Sequence, residues 1–241
     1  MNILVTGATG FVGAGVVRAL TRRGYHVLGL VRNIVKGAAL RESLDDPSLF
    51  EAAVGDMWRP LSYEPLVARV DAVIHAAQQT LSGRWSRRTI NAMHQSDALM
   101  TRNLARACLA QSKRFIYTSG ALTHMGRGDE WLDVAAPPRP CRLAQGHADM
   151  VNELQTMHAE EGLRATIISP GFVYGPGGFL KLTADLLRRK QYRIIGDGGN
   201  FWSLVHVDDL GEAYCQVLEH GCDGTIYFVG DDAPVRRSDV I

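Results

Sequence analysis

Near the start of the chain, Gly7, Gly10 and Gly13 separate a short aliphatic run from a helical pattern. Ile3 to Val5 is β-branched and aliphatic, long enough only for a buried strand. After Gly10 the apolar residues Phe11, Val12, Val16, Val17 and Leu20 recur at helical spacing, and Gly24 closes the pattern as a C-cap would. A glycine-rich turn therefore joins a strand to a helix N-terminus. Such a turn aims backbone N–H groups and the positive end of the helix dipole at a pyrophosphate. Gly7 permits the tight turn, Gly10 lets phosphates approach, and Gly13 lets the helix pack on the strand. The spacing is Gly-x-x-Gly-x-x-Gly rather than Gly-x-Gly-x-x-Gly, so the strand–turn–helix context carries more weight than the glycines alone.

The next strand, Tyr25 to Val31, ends in Arg32-Asn33. An acidic residue is expected about 20 positions beyond the glycines when a ribose 2′-hydroxyl is gripped. Arg32 stands there instead, and a guanidinium pairs with a 2′-phosphate, which points to NADP(H) over NAD(H). The alternative is an ordinary surface arginine in a chain with 22 arginines and four lysines.

Strand and helix signals alternate from there. Ile34–Leu44 reads as a weak helix, Phe50–Val54 as a strand ending in Gly55-Asp56, and Asp71–Ala77 as a fourth strand. Thr89–Gln111 reads as a long helix, Arg114–Thr118 as a strand, Gly146–Glu161 as a helix and Ala165–Ser169 as a strand. This βαβ alternation predicts an α/β fold, a Rossmann-type doubly wound parallel sheet with helices on both faces. Ligands of such sheets bind beyond the carboxyl ends of the strands. From Gly171 the texture changes. Gly175-Pro176-Gly177-Gly178 is a joint, followed by a helix (Leu180–Lys190), a turn at Gly196–Gly199, and a strand ending in Val205-His206-Val207. Asp208-Asp209 is expected to cap a helix, Thr225–Val229 to form a last strand, and Ser238 to cap a helix just begun. Residues 1–170 thus form the expected nucleotide-binding domain, and residues 171–241 a small substrate-binding subdomain that partly returns to the sheet.

Bulk properties narrow the partners. The net charge of +1 gives nucleic-acid binding no electrostatic support. No apolar run approaches the length of a membrane span, and the first strand leaves no room for a targeting segment. Cys108, Cys141, Cys215 and Cys222 lack metal-ligand spacing and read as reduced thiols of a cytoplasmic protein.

Together these motifs resemble the extended and atypical short-chain dehydrogenase/reductases, the NAD-dependent epimerase/dehydratase-like group. The matching pieces are Thr6–Gly13, Gly55-Asp56, His75-Ala76-Ala77, Phe115–Ser119, Pro170–Gly177 and Val205–Asp209, in that order. The resemblance covers essentially the whole chain. Added to the turn residues and Arg32 read above, and with His147 in the family's lysine position, it implies a cofactor site made of Gly7, Thr9, Gly10, Phe11, Val12, Gly13, Arg32, Asp56, Met57, Ala76, Ala77, Thr118, His147, Pro170, Gly171, Phe172 and Val173. Asp56 and Met57 would hold the adenine, and Pro170 to Val173 would approach the nicotinamide. It also implies a homodimer through the two long helices, and a chain that continues well past the equivalent of Ile241.

The family's catalytic residues do not map. Its Ser or Thr falls at Gly120, and its Tyr-x-x-x-Lys falls on Leu143 and His147. No tyrosine lies between Tyr117 and Tyr174, and no lysine between Lys113 and Lys181, so no shift of register restores the pair. A general acid–base group contributes typically ~10²–10⁴ in rate, so another acid or another chemistry is required. His124 on the loop after the fifth strand is the first substitute acid, and the alternative is a plain loop histidine. Ser119 is a hydrogen-bond donor or a strand-end hydroxyl satisfied by backbone. His147 bonds a ribose hydroxyl or is a solvated helix histidine. Tyr174, His75 and the His206–Asp209 junction read as structural; Asp129, Glu130 and Asp133 as solvated; Trp85 and Trp202 as lining substrate or covering core.

Three classes of activity stay open. The first is an NADP(H)-dependent oxidoreductase on a small-molecule carbonyl, hydroxyl or activated alkene, with His124 or water as proton donor. The second is a non-redox isomerase, lyase or cyclase on the same fold. The third is a catalytically silent NADP(H)-binding regulatory protein.

Overall fold

The computed structural model describes residues 1–79, 86–124, 126, 128, 130–132, 134–192 and 197–240. Trp85, Asp129, Asp133 and Gly196, singled out from the sequence, lie outside the described residues. In chain order the elements are β1 (Asn2–Thr6), α1 (Phe11–Arg22), β2 (His26–Val31), α2 (Ile34–Glu42), β3 (Phe50–Val54), α3 (Glu64–Ala68) and β4 (Ala72–His75). There follow α4 (Arg87–Ala110), β5 (Arg114–Thr118), α5 (Gln145–Glu161), β6 (Ala165–Pro170), β7 (Phe172–Tyr174) and α6 (Gly178–Arg188). The last are β8 (Phe201–Trp202), β9 (Leu204–His206), α7 (Val207–His220), β10 (Ile226–Val229), β11 (Val235–Arg236) and α8 (Arg237–Val240).

Seven strands form one sheet in the order β10-β6-β5-β4-β1-β2-β3, and every pairing in it is parallel. The order reverses between β1 and β4, the switch point at which ligands of doubly wound sheets sit. Alternation along each strand sends side chains to two cores. Ile3, Val5, Ile74, Ile116 and Ile168 pack with α1 and α7 through Val16, Leu20, Leu210 and Tyr214. Leu4, Val73, Phe115, Tyr117 and Ile167 pack with α4 and α5 through Leu104, Cys108, Met150 and Leu154. Strands covered on both sides read as continuous apolar runs, as these do.

The seventh strand comes from beyond Gly171. β10 pairs with β6, and α7 lies against α1. The remaining C-terminal elements make two small ribbons, β7 with β9 in parallel and β8 with β11 antiparallel. Two capping expectations are corrected. His206, not Asp208-Asp209, is the N-cap of α7, its Nδ1 accepting from Asp208 N–H at 3.3 Å, while the two carboxylates sit in the first turn and complement the helix dipole. Ser238 lies inside α8 rather than at its cap. Tyr25, Asp71, Ala76 and Ala77 fall outside the strands they were expected to extend.

Candidate functional site

The turn between β1 and α1 is built by close backbone contact. Gly7 has φ +69°, and a Cβ there would meet the Ala76 carbonyl carbon at 2.8 Å. A Cβ on Gly13 would lie 2.1 Å from the Gly7 carbonyl oxygen, so the first turn of α1 presses directly on the loop. Gly10 N–H donates to Gly7 C=O at 2.8 Å and closes the turn. Gly10 is the N-cap of α1, and no side chain caps that end, whereas Asn33, Ser86 and His206 cap α2, α4 and α7. The first N–H groups of α1, on Phe11, Val12 and Gly13, are thus left to an external acceptor. Thr9 is exposed beside them. The Phe11 ring reaches across to the Gly-Pro joint: a Cβ on Gly178 would touch it at 2.6 Å. The glycine at that joint is what lets α6 start against the turn.

Arg32 follows the last residue of β2 and is exposed, with no hydrogen-bond or ion-pair partner among the described residues. Asp56 lies after β3; its Oδ1 accepts from Trp58 N–H at 3.0 Å, and Met57 beside it is buried. Ala76 and Ala77 leave β4 toward the turn, their N–H groups held by the Thr6 carbonyl at 3.3 Å and the Thr6 hydroxyl at 3.4 Å. His75 anchors this junction, with Nδ1 at 2.7 Å from Thr6 Oγ1 and Nε2 at 3.0 Å from Thr101 Oγ1. Burial, reinforced by nearby His147, lowers its pKa to about 3, so it stays neutral and structural.

The floor beyond β5 is a set of buried polar groups. Thr118 exchanges a hydrogen bond of 2.6 Å with Tyr214 of α7. Ser119 is 5% exposed; its N–H donates to Ile168 C=O, but its hydroxyl finds no partner among the described residues. The hydroxyl of Ser169, next along from the Thr118–Ile168 pair on β6, is orphaned in the same way. Buried orphan hydroxyls at strand ends are unusual, and neither of these is satisfied by backbone among the described residues. Gly120 is open, with nothing within 4 Å of a Cβ. Leu143 sits in a short 3₁₀ turn before α5, and its carbonyl accepts from His94 Nε2 at 3.0 Å.

His147, on the first turn of α5, is half-buried and not a solvated helix residue. Its Nδ1 is 2.9 Å from Tyr117 OH and its Nε2 is 3.3 Å from the Gln78 amide nitrogen. Burial, with His94 nearby, lowers its pKa to about 4. Tyr117 is pushed far above the phenol range by burial, with Asp97 and Tyr214 adding to it. Asp97 on α4 accepts from Gln79 N–H at 2.7 Å, and burial raises its carboxyl to about 6. Tyr117, Asp97, Gln78 and His94 were not singled out from the sequence. Tyr117 reads as one more apolar strand residue, and contacts between positions 78, 94, 117 and 147 leave no local pattern.

His124 lies farther along, where its Nδ1 meets Thr123 Oγ1 at 2.9 Å and its ring stands edge-on to Phe228 at 4.9 Å between centroids. Burial lowers its pKa, so near neutral pH its ring is chiefly the unprotonated form. Pro170 ends β6, Gly171 N–H donates to Val229 C=O, and Phe172 N–H to Ser203 C=O at 2.7 Å. A Cβ on Gly171 would lie 2.4 Å from Ser203 O, which fixes that residue as glycine. Val173 is half-buried in β7, and the Phe172 ring stacks on Trp202 at 4.4 Å. Tyr174 stands edge-on to the helix-capping His206, at 5.2 Å.

A parallel sheet of this order, with a glycine turn at its switch point, defines a Rossmann-type α/β protein. A model of the NAD dependent epimerase/dehydratase family matches residues 3–230, and the chain belongs to that family. It is 27% identical over 258 residues to a 2-alkyl-3-oxoalkanoate reductase of Stenotrophomonas maltophilia, covering 100% of this chain and 74% of that protein. It is likewise 27% identical over 252 residues to a UDP-glucose 4-epimerase of Vibrio cholerae, at 100% and 74% coverage. Among solved structures, the UDP-glucuronic acid 4-epimerase of Bacillus cereus, in complex with UDP-glucuronic acid and NAD, superposes with a TM-score of 0.85. Identity there is 23%, over 100% of this chain and 81% of that one, and shows a shared fold.

Proposed function

We propose that this protein is an NADP(H)-dependent oxidoreductase acting on a small-molecule carbonyl, hydroxyl or activated alkene. The observation that carries the reading is the uncapped N-terminus of α1 above the Gly7–Gly13 turn, with the partnerless Arg32 guanidinium at the end of β2. Free N–H groups and a helix dipole suit a pyrophosphate, and an unpaired guanidinium suits a 2′-phosphate. The residues present therefore fit the dinucleotide: Gly7, Thr9, Gly10, Phe11, Val12 and Gly13 for the pyrophosphate, and Arg32 for the 2′-phosphate. Asp56 and Met57 take the adenine side, Ala76 and Ala77 the middle, and His147 with Pro170 to Val173 the nicotinamide side. When bound, the cofactor supplies or accepts hydride. The protein's own part is to orient it, to hold substrate against residues 171–241, and to move one proton.

Ser119 offers a buried hydroxyl with a free valence, and His124 a titratable ring on the neighbouring loop, for that proton and for the substrate oxygen. The reductase among the relatives favours this chemistry. Leu143 favours a second reading, non-redox turnover on the same fold, because its apolar side chain stands where the family resemblance implies the tyrosine.

Fluorescence titration with NADPH and NADH tests the reading. NADPH is expected to bind more tightly, and Arg32→Asp to weaken it tenfold or more, about 1.4 kcal/mol. Substrate-dependent loss of nicotinamide absorbance then separates the oxidoreductase from non-redox turnover. If neither nucleotide binds, the oxidoreductase reading is overturned.

A further inference from the structure

We infer that Tyr117 is a positioning residue for His147: its hydroxyl donates to Nδ1 and holds the neutral imidazole with its proton on Nε2, so that a hydrogen-bond donor faces the cleft beside Gln78. Tyr117 is 5% exposed on β5, and its OH lies 2.9 Å from His147 Nδ1, its one partner among the described residues. A buried phenol that keeps its proton donates it where it can, and the only hydrogen-bond partner of this hydroxyl among the described residues is that nitrogen. A nitrogen that accepts carries no hydrogen. A neutral imidazole whose Nδ1 accepts therefore carries its proton on Nε2.

The surroundings keep both partners in these states. Burial holds the phenol protonated and the imidazole unprotonated near neutral pH. The titratable groups around the pair are His75 on β4, whose ring centroid is 6.1 Å from that of Tyr117, Asp97 and His94 on α4, and Tyr214 on α7, whose hydroxyl bonds Thr118. None of them hydrogen-bonds either Nδ1 or the Tyr117 hydroxyl. His94 instead ties the Leu143 carbonyl at the entry to α5, and Asp97 ties Gln79 N–H. The helix that carries His147 and the loop that carries Gln78 are thus both fastened to α4, and the ring between them has little freedom to turn.

The Gln78 contact as it stands, nitrogen to nitrogen, matches the other tautomer, and the amide has to be reoriented. His147 Nε2 faces the Gln78 side-chain amide at 3.3 Å, with the amide nitrogen drawn toward it. Two donors cannot bond. The assignment requires the amide turned by 180°, with Oε1 accepting, and the two orientations have the same shape. The functional point lies in what replaces lysine. An ammonium donates in any orientation through three protons, whereas a neutral imidazole donates through one nitrogen only. A histidine at this position presents its single Nε2–H, to Gln78 Oε1 or to a cleft ligand that displaces that amide, only if something chooses the tautomer, and Tyr117 does so. That the ligand is a ribose hydroxyl of the dinucleotide rests on the function proposed above; the tautomer does not.

The experiment is long-range proton–nitrogen NMR of the full chain with ¹⁵N-labelled histidine rings, with His147 assigned by its loss in His147→Gln. In the wild type Nε2 is expected to be protonated and Nδ1 pyridine-like near neutral pH. Tyr117→Phe should move His147 toward the mixed tautomers of a free imidazole. A protonated Nδ1 or mixed tautomers in the wild type would overturn the inference, and that measurement needs no variant at Tyr117 to fold. An unchanged His147 spectrum in a folded Tyr117→Phe protein would overturn it as well. NADPH titrations then close a double-mutant cycle. Tyr117→Phe should weaken binding about three- to tenfold with His147 present, by roughly 0.7–1.4 kcal/mol. With His147→Gln, whose amide donates without a tautomer to choose, the further change should be absent. A tautomer shift with unchanged NADPH affinity would uphold the positioning role and refute only the ribose contact.

Discussion

Gly13 and Gly120 are both glycines at the mouth of the cleft, and their surroundings predict opposite responses to a side chain. A methyl on Gly13 would lie 2.1 Å from the Gly7 carbonyl oxygen and 3.1 Å from Ala8 Cα, all backbone that cannot swing aside. Gly13→Ala is expected to cost roughly 1–3 kcal/mol in urea unfolding, as overpacking does, and to weaken nucleotide binding with it. Gly120 has extended backbone and open space. Gly120→Ser should therefore change stability by less than about 0.5 kcal/mol, while placing a hydroxyl where the family resemblance implies one. A large loss in the second variant, or none in the first, would contradict the geometry. The same pair shows what was legible at this scale. The glycines of the turn announce themselves through spacing and context, because each is forced by local backbone contact. The Tyr117–His147 bond does not, because its partners lie on different elements and each looks ordinary in its own.

Strand positions were readable because parallel strands buried on both faces are short, apolar and β-branched; Arg114–Thr118 falls where the pattern puts it, and so does the edge strand Phe50–Val54, though it is only partly buried. The packing of α7 was not readable, since an amphipathic helix does not name the surface it covers. The structure lays it across α1 at two glycines. A Cβ on Gly211 would meet Gly15 O at 2.8 Å and Ala19 Cβ at 2.9 Å, and a Cβ on Gly15 would meet Val207 Cγ2 at 2.7 Å. This close crossing brings Tyr214 under β5, where it bonds Thr118. Gly211→Ala should therefore lower the urea midpoint by about 1–3 kcal/mol in stability. Of the two short ribbons only β9 was anticipated, by the strand ending in Val205-His206-Val207; the three and two residues of β7, β8 and β11 are too few for a period to show.

At the scale of the whole molecule, the switch point gathers the turn, the end of β4 and the polar floor into one crevice, and its buried groups tie stability to pH. His75 and His147 are held neutral, at about 3 and about 4 against an ordinary 6.5. As pH falls below about 6.5, the unfolded chain takes up two protons that the folded chain refuses, so stability declines. Asp97 acts in the other sense. Its carboxyl is raised to about 6 from 3.8, so between those values the folded state binds the extra proton and stability rises as pH falls. Two histidines against one carboxyl leave a net acid loss. Urea midpoints measured from neutral pH down to about pH 5 should fall. Asp97→Asn removes the opposing contribution and should steepen that fall, whereas His147→Gln removes one refused proton and should flatten it. A stability that climbs toward acid, or slopes unchanged in both variants, would show that these groups do not sit in the buried, paired environment that the crevice gives them.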